Sequence, residues 1–108
     1  MNTITRPIIV CLCGLTKFKK EFIEANSTET LKGKIVLSVG LFDYADDIFI
    51  THEEKEGLDE LHLAKIKMSD EVLILDVDGY IGGSIQNELD YARALSKHIR
   101  YWSREKED

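Results

Sequence analysis

Glu88 is an acid placed inside an apolar stripe. On a helical wheel at about 100° per residue, Ile85, Leu89, Ala92 and Leu95 line one face, and Glu88 falls among them. A carboxylate facing a core is costly unless it is paired or has a task. Ser84, four residues earlier, is a good N-cap, and the start of a helix favours an ionised acid. An ionised, partly desolvated carboxylate suits nucleophilic attack. On the wheel alone a second reading stands equally well, in which Glu88 caps its helix or bonds buried backbone. The turn before it, Asp78-Gly79-Tyr80-Ile81-Gly82-Gly83, holds three glycines. Glycines let a backbone approach a ligand closely, and they also make ordinary turns.

Gly14-Leu15-Thr16-Lys17 is a second candidate. A strand-to-helix turn that offers N–H groups, a hydroxyl and a lysine can cradle a phosphate. It matches neither the long P-loop nor the dinucleotide fingerprint, and an ordinary turn with a solvated Lys17 fits it as well. His62 is the third candidate. It lies on a helical face with Leu58, Leu61, Ala64, Ile66 and Met68, where it reads either as a core histidine or as a proton donor. Asp59 is at the edge of that face and Glu60 well off it. Asp43, Asp46 and Asp47 have the chemistry of a hard-metal site, but they alternate with Phe42, Tyr44 and Phe49 and read better as a solvated loop. No metal is expected. Cys11 and Cys13, two apart on a strand, point to one face of one segment, which is poor geometry for a disulfide. Reduced thiols and a cytoplasmic setting follow as expectations.

Apolar runs and breakers predict the elements that must position these groups. Residues 8–13 are a continuous apolar run of the kind buried on both sides of a parallel sheet, and residues 71–77, apolar but for Glu71 and Asp76, read as another strand. Residues 34–39 and 98–102 read as two further strands. Helices are expected over 18–31, over 52–68 after the capping box Thr51/Glu54, and over 84–95. Strands alternating with helices make a single α/β domain: a doubly wound, flavodoxin/Rossmann-like parallel sheet of about four strands with three helices. It spans residues 1–108, with 103–108 as a frayed tail. Ligands bind such sheets at the carboxyl ends of the strands, which singles out the loops at 14–17, 40–50 and 78–84.

A chain of 108 residues has room for one domain and one core. Its formal charge of −6 argues against a nucleic-acid polymer as partner, though not against a single nucleotide. No stretch approaches the ~20 apolar residues of a membrane span. The polar start, Met1 to Pro7, does not read as a signal peptide.

Two segments resemble a known family. Cys11-Leu12-Cys13-Gly14-Leu15-Thr16-Lys17 is similar to the first phosphate-binding loop of the 2'-deoxynucleoside 5'-monophosphate N-hydrolases, which belong with the nucleoside 2-deoxyribosyltransferases. Gly83-Ser84-Ile85-Gln86-Asn87-Glu88-Leu89-Asp90-Tyr91-Ala92 resembles their nucleophile helix. Small uncharacterised bacterial and phage proteins of that superfamily are similar too. The resemblance implies an N-glycosidase or deoxyribosyltransferase acting on a nucleoside or nucleoside 5'-monophosphate. Glu88 would attack the anomeric carbon, and water or a second base would resolve the glycosyl-enzyme. Lys17, Thr16 and Ser84 would hold the phosphate, and Gly14, Asp78, Gly82 and Gly83 are expected to bind the substrate or its phosphate with them. No cofactor is implied, and a homodimer or higher homo-oligomer is. Two positions depart from the family: His62 stands where it usually carries an acid, and Leu15 where the hydrolases usually have a serine. The rival expectation is a nucleotide-binding module, a sensor or a sequestering protein, using the same crevice without turnover.

Overall fold

The computed structural model describes residues 6–105, and the first residues of the polar start lie outside it. Strand β1, Ile9–Cys13, carries the run IVCLC with four of its five residues buried. Helix α1 follows at Lys19–Leu31 and β2 at Ile35–Leu37. Helix α2 is His52–Met68 and β3 is Glu71–Ile74, buried throughout. Helix α3 is Gly83–Ala94, β4 is His98–Tyr101 and a short α4 is Trp102–Glu105. The strands form one sheet in the order β2-β1-β3-β4, all parallel. The α/β, Rossmann/flavodoxin-like single sheet expected from the alternation is therefore present.

Because side chains alternate across a strand, the sheet has two distinct faces. Val10, Leu12, Leu73 and Leu75 face Phe22 and Ala25 of α1, with Phe42 and Trp102 alongside. Burying a side chain such as Phe22 stabilises the domain by about 1.5–3 kcal/mol. On the other face Cys11, Cys13, Val72 and Ile74 meet Ile66 of α2 and Ile85, Leu89 and Ala92 of α3.

The α1 face also holds a charge network. Glu29, 2% exposed, accepts hydrogen bonds from Arg100 at 2.6 and 3.0 Å and from Lys34 at 3.1 Å. Glu71 accepts from the same two cations at 3.0 and 2.6 Å. The Arg100 guanidinium, helped by Lys34, holds the Glu29 carboxyl down at about 2 against burial.

Several boundaries differ from expectation. Both β2 and β3 are shorter than their apolar runs. The N-cap of α3 is Gly82 rather than Ser84: Gly82 is extended, and its carbonyl accepts from the Gln86 N–H at 2.9 Å. Ser84 thus lies within the first turn. Residues 102–105 form α4, where the last strand was expected to run through 102 and a frayed tail to start at 103. Asp76 accepts from the Ser103 N–H and hydroxyl, both at 2.8 Å, and Glu105 accepts from Arg100 at 2.7 Å. Residues 106–108 lie outside the described part. The inward face of α2 is also narrower than its apolar residues suggest. His62 and Ile66 are buried, while Leu61 is 54% and Met68 64% exposed. One turn of spacing between His62 and Ile66 leaves Leu61, Ala64 and Met68 turned outward. Leu95, the C-cap of α3, is likewise partly exposed.

Candidate functional site

From β1 the chain winds outward to β2 and from β3 to β4, so the order of strands reverses between β1 and β3. That reversal opens a crevice at the carboxyl ends, where such sheets bind ligands. Gly14 is what lets the two strands close beneath it. A Cβ there would sit 3.0 Å from the Leu75 Cβ and 3.4 Å from the Leu75 carbonyl oxygen and the Phe22 ring. The β2 loop is held by Lys65 of α2, which donates to the Ser38 carbonyl at 2.7 Å.

The crevice is a pocket of about 150 Å³, roughly ten times what one water needs. Its walls come from Gly14 and Thr16 after β1, Gly40 and Tyr44 after β2, Asp59, His62 and Lys65 on α2, and Ser84 and Glu88 on α3. Five residues expected from the sequence are thereby brought together: Gly14, Thr16, His62, Ser84 and Glu88. Lys17, Asp78, Gly82 and Gly83 do not line it. The Lys17 ammonium lies over the Phe18 and Tyr80 rings, 5.2 and 5.9 Å from their centroids. Asp78 is exposed in a left-handed turn at φ 57°. Gly82 and Gly83 serve the start of α3, and a Cβ at Gly83 would meet nothing within 4 Å.

Glu88 is not a cap. It is the sixth residue of α3, and its side chain is 16% exposed. No hydrogen-bond partner reaches its buried Oε1. His62 Nε2 lies 3.6 Å from that oxygen, 3.3 Å from Cys13 Sγ and 3.8 Å from Cys11 Sγ. Burial raises the Glu88 carboxyl above its usual range, and the facing His62 partly opposes this. Burial also works against a charged His62, but Cys11 and Glu88 outweigh it and the imidazole titrates higher than usual. The hydrogen bond from Cys13, aided by His62 and opposed by burial, brings the Cys11 thiol down to about 6. The neighbouring Cys13 thiol is pushed up by that hydrogen bond, by burial and by the nearby charges. Neither thiol is a nucleophile for a bound ligand, because both are fully buried beneath the pocket floor.

Among the described residues, the acids of the 43–47 loop do not gather as metal ligands. Asp46 pairs with Lys19 at 2.7 Å, and Asp43 faces the pocket. Cys11, Cys13 and His62 do form such a set, with donor atoms within 4.8 Å of one another. Sequence reasoning passed over Lys65 and Tyr44, for which no motif exists, and over the cysteines as possible ligands. The cysteines did carry a signal, since spacing of two on a strand already places both thiols on one face. No helix among the described residues is long and apolar enough to cross a membrane.

Fold and geometry together define a single-sheet parallel α/β protein with an acid–histidine pair at its strand-end pocket. No protein-family model matches the chain, and no curated protein matches it either.

Proposed function

We propose that the protein is an N-glycosidase or deoxyribosyltransferase for a nucleoside or nucleoside 5'-monophosphate, working through Glu88. The observation that carries this reading is the buried, unpartnered Glu88 Oε1 in the strand-end pocket, beside His62. A carboxylate that caps nothing, and whose buried oxygen has no hydrogen-bond partner, has the character of a reserved nucleophile. Thr16 and Ser84 both line this pocket and carry hydroxyls suited to a sugar or phosphate.

The chemistry is a double displacement, as in retaining glycosidases. A Glu88 oxygen bonds to the anomeric carbon as the N-glycosidic bond breaks, and the departing base takes its electron pair and a proton from His62. Water or an acceptor base then attacks the same carbon and gives its proton to His62, and Glu88 leaves as the free carboxylate. Exposed Leu61 and Tyr44 at the pocket rim suit completion of the site by a second copy, which sedimentation equilibrium would register as a dimer.

One observation favours the rival reading. His62 Nε2 is directed at Glu88 and the thiols, so its proton serves the carboxylate as readily as a leaving base. A binding module without turnover fits that arrangement. The test is intact-protein mass spectrometry with a 2-fluoro-2-deoxyribosyl substrate, together with Glu88→Gln kinetics. A covalent adduct mapped to Glu88, and turnover reduced by orders of magnitude in Glu88→Gln, are expected. Retained turnover in the variant defeats the nucleophile. Firm nucleotide binding with no turnover by the wild type assigns the protein to the binding class. A substrate whose base leaves unassisted as an anion should be spared by His62→Gln, whereas an ordinary nucleoside should not.

A further inference from the structure

Beneath the pocket floor four donor atoms converge with too few partners. His62 Nε2 has two thiols and one carboxylate oxygen around it, at 3.3, 3.8 and 3.6 Å. Thiols are weak hydrogen-bond partners, and the carboxylate oxygen has none. Leaving a buried polar atom unsatisfied costs about 1–3 kcal/mol, and Glu88 Oε1 is such an atom among the described residues. We propose that Cys11, Cys13, His62 and Glu88 form a tetrahedral site for a thiophilic divalent cation of the zinc class.

The spacing carries the assignment. Around zinc, with Zn–S of about 2.3 Å and Zn–N of about 2.0–2.1 Å, a tetrahedral S···N edge is about 3.6 Å and an N···O edge about 3.4 Å. The two S···N separations, 3.3 and 3.8 Å, straddle the first value, and the N···O separation of 3.6 Å is close to the second. The two cysteine sulfurs and the histidine nitrogen already fall within 4.8 Å of one another; the Glu88 oxygen stands outside that group, 3.6 Å from the imidazole, and its side chain must swing in to supply the fourth ligand. The ligand set is the two-sulfur, imidazole and carboxylate mixture that zinc accepts and that calcium or magnesium do not. Both thiols lose a proton on binding, and the site then carries three ligand charges against two on the metal. Lys65, on the same pocket wall, offsets the remaining negative charge. The cation reaches the thiols past Glu88 and His62, the two ligands that border the pocket.

The site is independent of the glycosidase reading; only its consequence for turnover rests on that reading. A bound cation takes the Glu88 oxygen and the His62 nitrogen out of the reaction, so metal-loaded protein is silent and chelation restores it.

Reduced, chelator-treated full-length protein is titrated with Co²⁺ and then Zn²⁺. The expected result is one equivalent of Co²⁺ giving intense tetrahedral visible bands and a near-ultraviolet thiolate charge-transfer band, both abolished by one equivalent of Zn²⁺. Cys11→Ser and Cys13→Ser should each weaken Zn²⁺ binding by at least roughly 100-fold, and Glu88→Gln by roughly tenfold, as water replaces one of four ligands. Weak octahedral Co²⁺ bands with no charge transfer, or Zn²⁺ affinity unchanged in Cys13→Ser, would overturn the site. Should a cysteine variant fail to fold, the wild-type Co²⁺ spectrum decides alone. A charge-transfer band in a protein with no turnover when metal-free removes only the enzyme reading. Turnover without the band removes only the metal site.

Discussion

Replacing Glu88 by Gln separates stability from chemistry. The side chain keeps its length and shape but loses its charge. In the folded protein Oε1 is buried without a hydrogen-bond partner, and burial raises the carboxyl above its usual range. A carboxyl whose folded value is raised opposes folding once it ionises. The penalty is absent below the unfolded value near 4.5 and complete above the raised one. An unsatisfied buried group costs about 1–3 kcal/mol, and more when charged, so the amide, itself unpartnered, removes only the part due to the charge. The 16% exposure of the side chain and the facing His62 bring the expected figure to the lower end. Glu88→Gln should therefore be more stable than the wild type by about 1 kcal/mol at pH 7, or about 4–8 °C in melting temperature. The gap should shrink towards zero at pH 4. Urea and thermal melts with chelator present, at both pH values, measure it. If Glu88 were instead bonded to backbone donors, Gln would cost stability. A loss of 1 kcal/mol or more at pH 7 would refute the reasoning, whatever happens to turnover.

Glu29→Gln should act in the opposite sense. Because Glu29 is held at about 2 against an ordinary 4.5, its ionised form stabilises the fold by about 3 kcal/mol above pH 4.5, an advantage that disappears as pH falls to about 2. Acid titrations of the two proteins that run parallel would contradict this. Gly14→Ala should cost about 1–3 kcal/mol in urea unfolding, because its Cβ meets the Leu75 Cβ at 3.0 Å and overpacked cores lose that much; an unchanged midpoint would show that the strands part freely. Thr16→Ala and Ser84→Ala should each weaken nucleoside monophosphate binding by about 0.5–1.5 kcal/mol. Lys17→Ala should change it by less than about 0.5 kcal/mol, and calorimetry that ranks Lys17 above Thr16 would place its ammonium on the phosphate.

The elements and their order were legible because their causes are local. An apolar run such as IVCLC can only be a buried strand or a short helix, and Gly14 after it decides for the strand. Thr51 and Glu54 close a capping box three residues apart, with both of its hydrogen bonds present at 2.8 and 3.1 Å. The inward position of Glu88 followed from helical period alone. Where local signals compete, the reading slipped. Ser84 resembles an N-cap better than Gly82 does, yet the chain enters α3 two residues earlier. On α2 a count of apolar residues placed Leu61 and Met68 inside, whereas the helix presents His62 and Ile66.

Sequence alone, then, determined the α/β alternation, the pairing of Cys11 and Cys13 on one strand face, and the inward turn of His62 and Glu88, since each depends on a period of two or 3.6 residues. It left open which helix covers which face of the sheet, because that depends on how the crossovers wind. Only the tertiary structure brought His62, 49 residues from Cys13, over the thiols and set Glu88 against it. Only it buried Glu29 with Arg100, 71 residues away. A charge or a ligand set is satisfied by whatever the fold places within a few ångströms, and no local rule of the chain encodes that distance.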